Sequence, residues 1–152
     1  MIAIDTNGLL RRLLNDDATQ AEKARRLFEM HDSVLVTDVV LAETIWTLTG
    51  KRYGAGKAEL AAVVLGLLEE GNVVFESRQA VWSALNDYLD ALPVKTASGV
   101  RTADLPDALV VNKAKVTAQQ RNEPYLGTYT YDPSLRYALG LEPIRIPTGL
   151  RD

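Results

Sequence analysis

Apolar and polar residues fall in blocks along this chain, and the period of the blocks changes from one segment to the next. Ile2-Ala3-Ile4 is a short apolar run that stops at Asp5-Thr6-Asn7-Gly8, the pattern of a buried strand ending in a polar turn. Leu9, Leu10, Leu13 and Leu14 then recur at helical spacing. Asp17-Ala18-Thr19-Gln20 reads as a helix start with a capping-box-like Gln, and the helix carries Ala21, Ala24, Leu27 and Phe28 on one face towards His31. Val34-Leu35-Val36 predicts a second strand, ended by Thr37-Asp38. A helix follows over Val39 to Thr49, with Gly50 as its stop. A further helix over Lys57–Glu70 has Leu60, Val63, Val64, Leu67 and Leu68 on its apolar face, and Gly71-Asn72 turns into a third strand, Val73-Val74-Phe75.

Val81, Ala84, Leu85 and Tyr88 stand at i, i+3, i+4 and i+7 and predict another helix. Leu92 to Thr102, with Pro93 and Gly99, reads as a loop. Asp104 to Gln120 predicts a helix, Tyr125 to Tyr131 a fourth strand and Pro143 to Ile146 a short fifth. Short strands separated by helices need crossover connections, which make neighbouring strands parallel and cover both faces of the sheet. The expected fold is therefore α/β: a three-layer α/β/α sandwich in one domain, residues 1–152, around a mostly parallel sheet of about five strands.

Composition narrows the chemistry. The 152 residues are 47% hydrophobic and 24% charged, ordinary for one soluble domain. With no cysteine and one histidine, His31, thiolate zinc sites, Cys nucleophiles and multi-histidine centres are excluded. An enzyme built from this chain works with carboxylates, hydroxyls, amines and an added metal ion. The net charge of −3 gives no global basic field. The apolar stretches are too short to cross a bilayer, and the first residues do not form a signal peptide, so the expectation is a cytoplasmic protein without a membrane partner.

In open α/β sheets, ligands bind outside the carboxyl ends of the strands. Asp5 ends the first predicted strand and Asp132 the fourth, while Glu43 lies about one and a half turns into the helix after the second. Asp104 and Asp107 open a later helix and share one of its faces. The expectation is that these acids reach the same sheet edge. Two unit charges about 4 Å apart repel by roughly 4 kcal/mol at an effective dielectric near 20, so such a cluster needs protons or a cation. Oxygen-only donors favour Mg²⁺ or Mn²⁺. Each acid also has a plain structural reading: Asp5 as a helix cap, Asp104 as an N-cap with Asp107 at the third helical position, Asp132-Pro133 as a turn. Glu43 sits in an apolar run where carboxylates are rare unless paired, and Asp107 immediately precedes Ala108-Leu109-Val110-Val111.

Together these segments resemble the PIN-domain family. Ile2-Ala3-Ile4-Asp5-Thr6-Asn7 is similar to the family's opening strand and Asp-Thr-Asn, and Val39-Val40-Leu41-Ala42-Glu43 to its second acidic position. Asp104-Leu105-Pro106-Asp107-Ala108-Leu109 is similar to its Asp-x-x-Asp-Ala-Leu segment, and Thr130-Tyr131-Asp132 to its closing Thr-Phe-Asp. In size the chain looks most like the VapC-type toxins of toxin–antitoxin pairs. The resemblance implies a Mg²⁺- or Mn²⁺-dependent ribonuclease whose metal is held by Asp5, Glu43, Asp107 and Asp132, with Asp104 beside them and Thr6, Asn7 and Thr130 in support. It implies hydrolysis by a metal-activated water, leaving a 5′-phosphate and a 3′-hydroxyl. It also implies a homodimer and a small antitoxin whose C-terminal segment lies over the acidic groove. The long Leu92–Thr102 connection and Asn112-Lys113-Ala114 depart from the family pattern.

Arg11, Arg12, Lys51, Arg52, Arg101, Lys113 and Lys115 are candidate phosphate contacts, each with the alternative of an ordinary solvated helix face. Trp46 and Trp82 fit a core or subunit interface better than a base-stacking platform. Gly50 to Ala58 is not a phosphate-binding loop, because it has Lys51 and Ala58 where Gly and Ser or Thr are required. Two rival readings remain at this level. One is a non-catalytic PIN-like module that binds RNA or protein. The other is a haloacid-dehalogenase-like phosphohydrolase, disfavoured because Asn7 stands where its acid would be.

Overall fold

A computed structural model describes residues 1–138 of the chain. These residues divide into two compact units, Met1–Trp82 and a second that begins at Ser83. In the first, β1 (Ile2–Ala3), β2 (Val34–Val36) and β3 (Val73–Phe75) form a parallel sheet in that order. Ile2 pairs with Val34, and Val34 in turn with Val73. Parallel neighbours cannot be joined by a tight turn. Accordingly α1 (Thr6–Leu13) and α2 (Ala18–Met30) connect β1 to β2, and α3 (Asp38–Thr49) and α4 (Lys57–Glu69) connect β2 to β3.

The apolar periodicity is spent inward. Val34 and Val36 are fully buried in the central strand, and Leu9, Phe28, Leu41, Ile45, Leu60, Val64 and Leu67 close around it. Asp17 caps α2 by accepting from the Gln20 amide at 3.0 Å, as its sequence predicts. Asn72 ties the start of β3 to the end of α2, its Nδ2 donating to the Phe28 and His31 carbonyls at 2.7 and 3.1 Å.

The helix α5 (Arg78–Asp90) carries the chain into the second unit. There β4 (Val94–Thr96) and β5 (Gly99–Arg101) form an antiparallel hairpin, followed by α6 (Leu105–Gln120) and α7 (Pro133–Ala138). Leu85, Tyr88, Ala103, Leu105, Ala108, Leu109, Val111 and Leu135 form its buried interior. Asn112, also buried, donates from Nδ2 to Asp87 Oδ2 at 2.7 Å and to the Ala108 carbonyl at 2.9 Å.

The α/β class is as expected, but the strand list is corrected. Tyr125–Tyr131 is irregular, although rich in strand-favouring residues. A strand needs a neighbour to complete its ladder, and this segment pairs with no strand among the described residues. Tyr125 and Thr128 instead share a hydroxyl hydrogen bond of 2.6 Å, and Leu126 and Tyr131 are exposed. Conversely, the expected loop Leu92–Thr102 contains the β4–β5 hairpin. Gly99 takes φ 121°, which lets the Ala97-Ser98 turn close with ordinary residues at its centre. The fifth predicted strand, Pro143–Ile146, lies outside the described residues. Among the described residues no helix is long and apolar enough to cross a membrane.

Thr44 is fully buried in α3, and its Oγ1 has no hydrogen-bond partner among the described residues. A buried, unpaired hydroxyl costs about 1–3 kcal/mol. Thr44→Val, which keeps the shape and removes the polar atom, is expected to stabilise the protein by about 1 kcal/mol, read as a higher urea midpoint at unchanged slope. A lower midpoint would show that the hydroxyl is satisfied.

Candidate functional site

Three parallel strands deliver their carboxyl ends to one edge of the first unit's sheet, and acids follow them. Asp5 comes after β1 and is the N-cap of α1, its Oδ1 accepting from the Gly8 amide at 2.7 Å. A Cβ at Gly8 would lie 2.8 Å from Ile4 Cγ1 and 3.1 Å from Asp5 Oδ1, so this close turn is built for glycine. The next residue, Thr6, donates from Oγ1 to Glu43 Oε2 at 2.5 Å. The structure thus links the Asp5-Thr6 turn directly to Glu43. Asn7 is exposed in the first turn of α1.

Glu43 corrects one expectation. Its sequence neighbours are apolar, but the side chain lies on the exposed face of α3 with Val39 and Trp46, while Leu41, Thr44 and Ile45 point inward. Helical periodicity separates it from the apolar surroundings that its sequence suggests. Trp46 and Trp82 are 56% and 50% exposed, so neither is a core residue.

Two further acids stand at this edge, and neither is among the candidates that the sequence offers. Asp38 opens α3 after β2, and Glu76 follows β3. Glu76 Oε2 accepts from the Asp38 amide at 2.6 Å. The signal that would have found Glu76 is the one used for Asp5, the first acid after a short apolar run.

In the second unit Asp104 and Asp107 form a reciprocal capping box at the start of α6. Asp104 Oδ1 accepts from the Asp107 amide at 2.8 Å, and Asp107 Oδ2 accepts from the Asp104 amide at 3.1 Å. The capping role foreseen for Asp104 is therefore real, and Asp107 shares it. Burial above all, with the charges of Asp104 and Asp132 added, pushes the Asp107 carboxyl up to about 6. Asp132 moves the other way. Its Oδ1 accepts from Ser134 Oγ at 2.7 Å and the Ser134 amide at 2.8 Å, and these bonds, with Arg101 nearby, hold it below the usual range. Thr130 Oγ1 accepts from the Asp132 amide at 3.0 Å and shapes this turn. Asp104 also acts on Tyr88, whose phenol is raised chiefly by burial and further by that charge.

Three of the candidate phosphate contacts are already engaged. Arg11 and Arg52 both pair with Asp16, at 2.8 and 3.4 Å, and Arg52 lies over the Tyr53 ring. Arg12 pairs with Glu70 at 3.1 Å and lies over Phe28, with centroid distance 5.4 Å. Asp16, unnoticed in the sequence, is the centre of the first of these clusters. Lys51, Arg101 and Lys115 are exposed.

The donors suit a hard cation in kind: all are oxygens, and Asp107 is an anion destabilised by its surroundings, which a positive ion would relieve. Within each unit, however, no three acidic or histidine side chains among the described residues gather closely enough to hold an ion.

Residues 2–119 match the family model of the PIN domain. That span includes Asp5, Glu43, Asp104 and Asp107, and Asp132 lies beyond it. Comparison with curated proteins and with solved structures gives no match.

The Asp107 shift has a consequence for stability. Its folded value of about 6 exceeds the usual 3.8, so between these pH values the folded state keeps a proton that the unfolded state has lost. This contribution is present at low pH and is lost as pH rises through that window. In chelator-treated protein, the urea midpoint of wild type relative to Asp107→Asn is expected to fall between about pH 4 and pH 7. Parallel pH profiles for the two proteins would contradict it.

Proposed function

The chain belongs to the PIN-domain family, and on that premise we propose that it is a Mg²⁺- or Mn²⁺-dependent endoribonuclease, the toxin of a type II toxin–antitoxin pair. PIN domains are generally nucleases, so a nuclease-type activity is the coarse assignment. RNA as substrate, the metal, the toxin role and a three-layer arrangement of the fold are the finer reading. The observation that carries it is the match of residues 2–119 to the PIN domain, with Asp5, Glu43 and Asp107 inside that span and each held through one carboxylate oxygen.

In this reading Asp5, Glu43, Asp107 and Asp132 hold the ion, with Asp104 as a supporting neighbour. A divalent cation supplies the charge that lowers the pKa of a water and offsets the negative charge of a phosphodiester. The chain's own work is to fix the donors. The Gly8 amide holds one oxygen of Asp5, Thr6 Oγ1 holds one oxygen of Glu43, and the Asp104 amide holds one oxygen of Asp107. A carboxylate pinned through one oxygen presents the other in a defined direction. Water oxygen adds to phosphorus, the bond to the 3′-oxygen breaks, and that oxygen takes a proton. The products are a 5′-phosphate and a 3′-hydroxyl, and the ribose 2′-hydroxyl is not used.

The toxin reading brings a cytoplasmic homodimer and a small antitoxin over the acidic groove. Its support is that Val39 and Trp46, 66% and 56% exposed, flank Glu43 on one face of α3, a mixed apolar and acidic surface suited to a protein partner.

Chelator-treated protein is expected not to cleave RNA, and millimolar Mg²⁺ or Mn²⁺ to restore cleavage. Asp5→Asn and Asp107→Asn should each lower kcat/KM by more than about a hundredfold while far-UV circular dichroism is unchanged. Sequencing of RNA 5′ ends after a brief pulse of expression should find new 5′-phosphates with wild type and none with Asp107→Asn. Wild-type rates in both variants would overturn the assignment.

A further inference from the structure

We infer that Glu76 is a positioning residue for the site proposed above: through the Asp38 amide it fixes the start of α3, the helix that holds Glu43 against Thr6. The inference rests on the nuclease reading for its purpose and on the sheet register for its geometry. Val36 of β2 pairs with Phe75 of β3, so the residues that leave these two strands emerge side by side. The next residue of β2 is Thr37, the N-cap of α3, and the next residue of β3 is Glu76.

The first amides of a helix have no carbonyl of their own helix to bond. Thr37 Oγ1 serves the Val40 amide, at a long 3.3 Å. Glu76 Oε2 serves the Asp38 amide at 2.6 Å, the shorter bond of the two. It is charge-assisted, and it places a negative group at the positive end of the helix. Glu43 lies five residues further along α3. Its side chain is tied to α1 by Thr6 Oγ1 at 2.5 Å, and its carbonyl accepts from Thr47 Oγ1 at 2.8 Å. The candidate ligand is thus held by the exit of β1 on one side and, through α3, by the exit of β3 on the other. Nothing in the family pattern that identifies Asp5, Glu43 and Asp107 singles out Glu76.

The test uses the whole chain and three variants. Glu76→Gln keeps an oxygen acceptor of the same reach, Glu76→Asp keeps the charge but shortens the reach, and Glu76→Ala removes both. Two readouts are taken on each protein: Mn²⁺ affinity by calorimetry, and exchange of the Asp38 amide hydrogen by NMR. Glu76→Ala and Glu76→Asp are expected to weaken Mn²⁺ binding about tenfold and to speed Asp38 exchange, while Glu76→Gln, which keeps the acceptor but not its charge, changes both by only about threefold. Unchanged exchange in Glu76→Ala would overturn the inference. So would a Glu76→Gln variant that loses Mn²⁺ while keeping Asp38 protected, since Glu76 would then be a ligand itself. Wild-type protein that binds no Mn²⁺ would defeat the nuclease reading instead, and exchange at Asp38 would still decide the anchor.

Discussion

Helix N-termini present amides that no carbonyl of the same helix can reach, and this chain answers that need with carboxylates. Asp5 serves α1, Glu76 serves α3, Asp104 and Asp107 serve α6, and Asp132 serves α7. In both compact units, acids of functional interest are therefore fixed by main-chain donors at the starts of helices. The helix gains a cap, and the carboxylate gains a fixed orientation with one oxygen committed. A capping role and a chemical role do not compete at such positions. In the nuclease reading proposed above, the first is how the second is held in place.

The charge pattern follows the same economy. The net charge of −3 says little about where the fields lie. Arg11 and Arg52 are drawn to Asp16, and Arg12 to Glu70, so three arginines counted as phosphate contacts spend their charge within the fold. These pairs are partly exposed and open to competition from a polyanion in water, where isolated ion pairs are weak. Asp107 is raised to about 6 first by its burial and then by the charges of Asp104 and Asp132.

How much of this was legible in the sequence depends on whether a signal is local. The strands β1, β2 and β3 were readable because each is a short apolar run bounded by turn residues, and helical spacing located α2 to α6. Caps at Asp17 and Asp104 were readable from two or three neighbouring residues. Tyr125–Tyr131 misled because strand propensity says nothing of whether a partner strand is available. The β4–β5 hairpin hid within a segment whose Pro93 and Gly99 suggested only a loop. Glu43 misled in a different way: its linear neighbours are apolar, but rotation along α3 turns it outward. Glu76 stood in plain view after Phe75, and its bond to Asp38 depends on strand register, which no single segment reveals.

The central claim is that carboxylates from separate segments serve one divalent cation. A crystal soaked in Mn²⁺ and measured at the manganese absorption edge tests it most directly. The account predicts an anomalous peak bounded by oxygens of Asp5, Glu43 and Asp107. It would be contradicted by well-ordered density for these three side chains, each directed into a different region, with no peak between them.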